Sequence, residues 1–325
     1  MEHYKSIGKL NIRITINNDL YTDFINTFLI FDVPEREEIR CKINILFKEK
    51  NEMPDIRLDL SAFKKIELKN VIYYYPENLE LYYVDGNYFT GMININKQEA
   101  NWYVYETIEP RTLFHLLILD PISLIAPYYN LLIGHGAVIR ENNHAHVIFG
   151  HSGVGKSTVS RLISNRFANL DKISDDTFAF EVGDRDIKVI PFNTGEGYLK
   201  SDHDINEEVR NLRDKIIIEN TEKFYILDGL TTLSDPLMLK NSYFLWRDTS
   251  TDPDVCTQIK ELNDVDYLRE LLESHTSIPS LYTQKKFILW KSISDQSVGF
   301  LIRYCELCNV EKFGLFMGWV YDESI

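Results

Sequence analysis

The run Gly150-His151-Ser152-Gly153-Val154-Gly155-Lys156-Ser157 constrains this chain more than any other feature, because it fits G-x-x-x-x-G-K-[ST]. It follows the β-branched run AHVIF and opens a segment in which Val159, Leu162, Ile163 and Phe167 recur at helical spacing. Strand, glycine-rich loop and amphipathic helix in that order predict a phosphate-binding loop. Gly150, Gly153 and Gly155 admit backbone conformations and close approach that a Cβ would block. Successive N–H groups then cradle phosphates at the positive end of the helix. With Ser152, Val154 and Thr158 these residues make up the predicted nucleotide-binding set. Lys156 supplies a mobile cation for the β- and γ-phosphates, and the Ser157 hydroxyl is a Mg²⁺ ligand. ATP and Mg²⁺ are therefore the expected cofactors. A glycine-rich turn with a surface lysine is the simpler alternative, but it requires neither the strand before nor the helix after.

The chain has 325 residues, enough for one large domain or two ordinary ones. Two textures divide it. Residues 1–110 are β-rich: Lys9–Ile16, Glu38–Phe47, Asn70–Tyr75 and Leu79–Asn96 alternate apolar with polar or carry aromatic runs, separated by turn signals such as Asp85-Gly86-Asn87. Thr22–Phe31 is the one helix candidate there. Residues 111–325 interleave strands and helices, an α/β pattern. In this part LLIGHGAVI, AHVIFG, KIS, TFAFEV, IKVIPF, KFYILDG and SYFLWRD read as strands, Val265–Ser274 as a helix capped by Asn263, Ser294–Leu307 as a helix, and VEKFGLFMGW as a last strand.

Charge narrows the partners. With 35 Lys+Arg against 49 Asp+Glu the formal net charge is −14, a field that repels nucleic acid and anionic membranes. The apolar stretch Thr112–Gly134 contains His115, Asp120, Pro121 and Pro127, so it reads as a buried, broken helical segment rather than a span. The start of the sequence lacks an apolar signal core. Cys41, Cys256, Cys305 and Cys308 do not form a disulfide framework, which points to a reducing, cytoplasmic compartment. Cys305 and Cys308 form a lone CxxC, read as small residues on the inner face of a helix. Nothing in the sequence speaks against a homo-oligomer.

LLIGHGAVI, GHSGVGKST and ISDD, taken together, resemble the catalytic core of HPr kinase/phosphorylase and the broader HPr kinase-like serine kinases, whose core is related to PEP carboxykinase. The likeness is strong over about residues 131–180. In that family a His-Gly precedes the phosphate loop and an Asp-Asp pair follows its helix, the places of His135-Gly136 and Asp175-Asp176 here. The interval to the Asp pair is slightly longer than in true HPr kinases, as an insertion near Asn165–Asp171 would give. The resemblance implies an α/β phosphate-loop kinase domain over residues 111–325; residues 1–110, β-rich by their own pattern, do not match the family's usual N-terminal domain. It implies Asp176 as general base, Asp175 as a Mg²⁺ ligand and His135 as an active-site residue contacting the γ-phosphate or orienting Asp176. It also implies a hydroxyl acceptor, serine on a peptide, a protein or an amino-acid-like small molecule. The second signature of that family has no clear counterpart. Asn193-Thr194-Gly195-Glu196-Gly197 comes nearest and offers Glu196 as a third metal ligand. Residues 192–205 are expected to form a loop over the acceptor side. FYILD, ending at Asp228, has the form of a Walker B strand. It leaves open a different reading, as a nucleotide-binding regulatory protein, an ATPase or a small-molecule kinase of another lineage.

Overall fold

A computed structural model describes residues 1–22, 25, 31–32, 37–52, 59–68, 71–151, 153–192, 196–199, 216–219, 223–227, 235–248, 258–274 and 284–305. These residues form a mixed α/β protein with large sheets and few helices. The chain divides into two compact units, Met1–Leu131 with Ser277–Phe287, and Leu132–Thr276 with Ile288–Ile325.

The first unit is built on nine strands: β1 (Glu2–Ile7), β2 (Leu10–Ile16), β3 (Phe31–Asp32), β4 (Cys41–Phe47), β5 (Lys64–Leu68), β6 (Val71–Tyr75), β7 (Leu81–Gly86), β8 (Phe89–Asn94) and β9 (Glu99–Val104). Their order is β3-β1-β2-β4-β9-β8-β7-β6-β5. Strict alternation specifies the register. In β2, Leu10, Ile12, Ile14 and Ile16 are buried while Asn11, Arg13 and Thr15 between them are half-buried. Trp102 is fully buried, with the Phe89 ring edge-on at 5.7 Å between centroids.

The apolar segment beginning near 110 is helical and broken, as expected. It comprises α1 (Pro110–Leu113), a π-helical turn (Phe114–Leu119), α2 (Asp120–Ile125) and a 3₁₀ turn (Ala126–Tyr129). Pro121 sits in the first turn of α2, where it has no N–H to donate, and the wide turn lies just before it. The sequence had placed this segment at the head of the second region. It belongs instead to the first compact unit, where the Tyr73 hydroxyl donates to buried Asp120 at 2.5 Å. Burial and the Asp120 charge hold that phenol well above its usual pKa. Among the described residues no helix is long and apolar enough to cross a membrane.

The second unit contains β10 (Leu131–His135), β11 (Ala137–Glu141), β12 (His144–Phe149), α3 (Lys156–Arg166), β13 (Leu170–Ser174), β14 (Thr177–Val182) and β15 (Ile187–Pro191). It continues with β16 (Glu196–Leu199), β17 (Ile216–Glu219), β18 (Lys223–Leu227), β19 (Leu237–Asp248), β20 (Gln258–Glu261), α4 (Asp264–Ser274), α5 (Gln284–Gln296), whose residues from Ile288 on belong to this unit, and β21 (Val298–Cys305). The main sheet runs β10-β14-β15-β19-β12-β11-β13, with β21 parallel to β19 and β20 beside β21. β16, β18 and β17 form a separate small sheet. Val159 and Ile163 of α3 join Val154 of the loop in one cluster with Ile139, Ile148, Leu170 and Leu245. At the far end of β12, buried His146 faces Glu141 at 3.3 Å, and Glu141 is paired with Lys240 at 3.0 Å. Burial pushes His146 down to about 4, against the opposing pull of Glu141.

Two sequence expectations change here. LLIGHGAVI is not one strand: it bends at Gly136 into β10 and β11. The helix expected over Ser294–Leu307 is instead the end of α5 followed by β21. VGFLIRYC is rich in β-branched and aromatic residues, and it pairs in parallel along Asn241–Asp248 of β19, so partner pairing decides its state. Cys305 therefore ends a strand, not a helix face; Cys256, Cys308 and the last expected strand lie outside the described residues.

Candidate active site

β12 runs straight into the glycine-rich loop, and α3 begins at Lys156, as the motif requires. Gly150, Gly153 and Gly155 have φ of 143°, 80° and 96°. At Gly150 a Cβ would also lie 2.7 Å from Val154 Cγ1 and 2.8 Å from the Leu245 carbonyl oxygen, so both conformation and space demand glycine. Val154 is buried and its N–H donates to the His151 carbonyl at 3.2 Å, which turns the loop. The Lys156 ammonium is drawn into the loop, donating to the Gly150 carbonyl at 2.7 Å and the His151 carbonyl at 3.2 Å. Ser157 is half-buried on the first turn of α3, and Thr158 beside it is exposed. Ser152 lies outside the described residues. His151 is exposed, its ring 6.0 Å from that of exposed Trp246.

The acids arrive at the same end of the sheet. β11 lies between β12 and β13 and is antiparallel to both: Val138 stands opposite Val147 on one side and Ser174 on the other. β12 and β13 therefore point the same way, and Gly150 and Asp175 leave the sheet at one edge. Two strand spacings separate them, about 10 Å.

Gly136 makes the corner. Its N–H donates to the Asp176 carbonyl at 3.0 Å, and a Cβ there would lie 2.5 Å from the Ile148 carbonyl oxygen. β10 is bonded to β14 on one side of the corner and β11 to β13 on the other, so the two bent ribbons close the sheet upon itself. This brings His135 to Asp176, with Nδ1 and Oδ1 3.3 Å apart. The Asp176 side chain is 15% exposed and that of His135 46%. Ser174 fixes the turn from below, its hydroxyl donating to the carbonyls of Thr177 at 2.7 Å and Phe192 at 2.9 Å. Asp175 is buried, and one of its oxygens is 3.0 Å from the Lys172 ammonium.

The fold thus joins His135 to Asp176 and places both acids on the edge that carries Lys156 and Ser157. Sequence reading missed Lys172 and the Gly136 N–H. Within 192–205, expected as a loop, Glu196–Leu199 is instead the strand β16, antiparallel to β18; the Glu196 side chain, Asp228 and most of the rest of that segment lie outside the described residues. Among the described residues no three His, Cys, Asp or Glu side chains cluster as a metal cage. The donors at this edge, the Asp175 carboxylate and Ser157 hydroxyl, are hard oxygens of the kind that bind Mg²⁺ together with a substrate's phosphates.

No family model matches the chain, and no curated protein matches it. Among solved structures it is similar to the HPr(Ser) kinase/phosphatase from Coxiella burnetii, at 12% identity and a TM-score of 0.30, over 59% of this chain and 95% of that one.

Proposed function

We propose that the second unit is an ATP- and Mg²⁺-dependent kinase that transfers the γ-phosphoryl group to a hydroxyl, serine of a peptide, a protein or an amino-acid-like molecule. The observation that carries this reading is the His135–Asp176 pair at 3.3 Å, tied through Gly136 to the sheet edge that bears the phosphate loop. A glycine-rich turn that merely capped a helix has no use for a paired carboxylate there.

The residues divide the work. Loop N–H groups and the Lys156 ammonium hold the phosphates, with Gly150, Ser152, Gly153, Val154, Gly155 and Thr158 forming the cradle. Mg²⁺, held by Ser157, Asp175 and Glu196, would offset negative charge on the phosphoryl oxygens. Asp176 takes the proton from the acceptor hydroxyl as its oxygen bonds to phosphorus and the bond to the leaving diphosphate breaks. His135 keeps the Asp176 carboxylate aimed.

The test separates this from the Asp228 alternative. Asp176→Asn should keep nucleotide binding, read by calorimetry, while transfer to a serine peptide, read by mass spectrometry, collapses. Asp228→Asn should matter less. The reverse pattern would remove the assignment and favour the Walker B reading.

A further inference from the structure

Lys172 lies in β13 and Asp175 in the bend just after it. Along a regular strand, residues three apart point to opposite faces. In β13, however, Lys172 pairs with Ile139 while Ser174 pairs with the next residue of β11, Val138. Ile173 is thus an extra residue, a β-bulge, and a bulge reverses the alternation beyond it. Beyond the bulge, Asp175 forms an ion pair of 3.0 Å with Lys172, the Lys172 side chain 11% exposed and that of Asp175 7%. Withdrawing two charges from water is costly unless each finds its partner.

That carboxylate is the one assigned above to the metal, and the inference rests on that assignment. Asp175 and Asp176 are adjacent acids at a strand end, and they repel unless a cation lies near. We propose that Lys172 is the resident counter-cation of Asp175, a positioning residue that holds the carboxylate in place before the nucleotide arrives and yields it to the divalent ion afterwards. The long, flexible lysine stem allows the ammonium to withdraw without moving the backbone. A divalent ion arriving alone must displace the ammonium, whereas one arriving with phosphates brings its own ligands. Metal loading is thereby made to depend on nucleotide.

Mn²⁺ binding to the nucleotide-free full-length protein, followed by the electron paramagnetic resonance of free Mn²⁺, tests this. Lys172→Met keeps the apolar stem and removes the charge. It should bind Mn²⁺ roughly tenfold more tightly than wild type, and its melting temperature, lowered in EDTA, should recover when Mn²⁺ is added. Lys172→Arg should stay near wild type. Lys172→Gln provides the same comparison should Lys172→Met not fold. Mn²⁺ affinity unchanged or weaker in both neutral variants, with Asp175→Asn still abolishing it, overturns the role of Lys172 alone. A gain that survives addition of Asp175→Asn puts the ion elsewhere and overturns both this inference and the metal assignment.

Discussion

β2 of the first unit buries every second residue and leaves Asn11, Arg13 and Thr15 half-buried, whereas β12 of the second buries every residue from Ala145 to Phe149. One sheet is covered on one face and the other on both. A sheet covered on one face has a whole surface on which polar groups can work. A sheet covered on both faces has only its strand ends and corners. The second unit places Gly150, His135, Asp175 and Asp176 at those ends, and Gly136 is the bend that makes a corner of them.

The largest expected effect tests where the chemistry resides. Lys156→Ala should reduce phosphoryl transfer about a thousandfold, since positioning and charge neutralisation supply most of this kind of catalysis. A comparable loss from Arg13→Ala, on the outward face of the first sheet, would break the contrast between the units.

Next is acidification, because a sheet buried on both faces must also hide His146. The folded imidazole resists a proton down to about pH 4, while the unfolded one takes it below about 6.5. The unfolded state therefore binds more protons in that window, and stability declines as pH falls through it. Urea unfolding at pH 7 and pH 5 should differ by about 2 kcal/mol from this residue. His146→Gln should remove that part of the slope.

The smallest effect compares one glycine from each sheet. A Cβ on Gly91 of β8 would lie 2.4 Å from the Asn101 carbonyl oxygen, as crowded as the 2.5 Å at Gly136. Gly91→Ala and Gly136→Ala should each cost about 2 kcal/mol by overpacking, read by urea unfolding. Only Gly136→Ala should lower the kcat of the protein that remains folded, because it displaces His135 from Asp176. Equal kcat losses from both would mean that the corner has no special part in positioning the pair.

The sequence made legible what local rules govern. Alternation placed β2, β4 and β6, and the strand–loop–helix grammar placed Gly150–Ser157. Asn263 capped α4 as expected, its side chain accepting the Asp266 N–H at 2.9 Å. The expectation that His135 faces Asp176 rests on a family resemblance and not on a local rule; the two side chains lie 3.3 Å apart. What escaped depends on partners distant in sequence. Val298–Cys305 is a strand because β19 lies beside it, and no window of the sequence contains β19. The bulge in β13 beside the Lys172–Asp175 pair is a mismatch with another strand that a single strand's residues do not display.

The threading of the chain has a consequence for synthesis. The first unit takes Met1–Leu131 and then Ser277–Phe287, so the ribosome delivers its last piece only after most of the second unit has emerged. The nine-stranded sheet pairs wholly within the first 104 residues, so it is the rest of the unit packed with it that waits for a segment made late. A chain cut after residue 131 leaves that segment behind in the other fragment. The boundary that looks natural along the sequence is therefore a poor place to divide the protein for expression, and co-expressed halves should restore together what neither half completes alone.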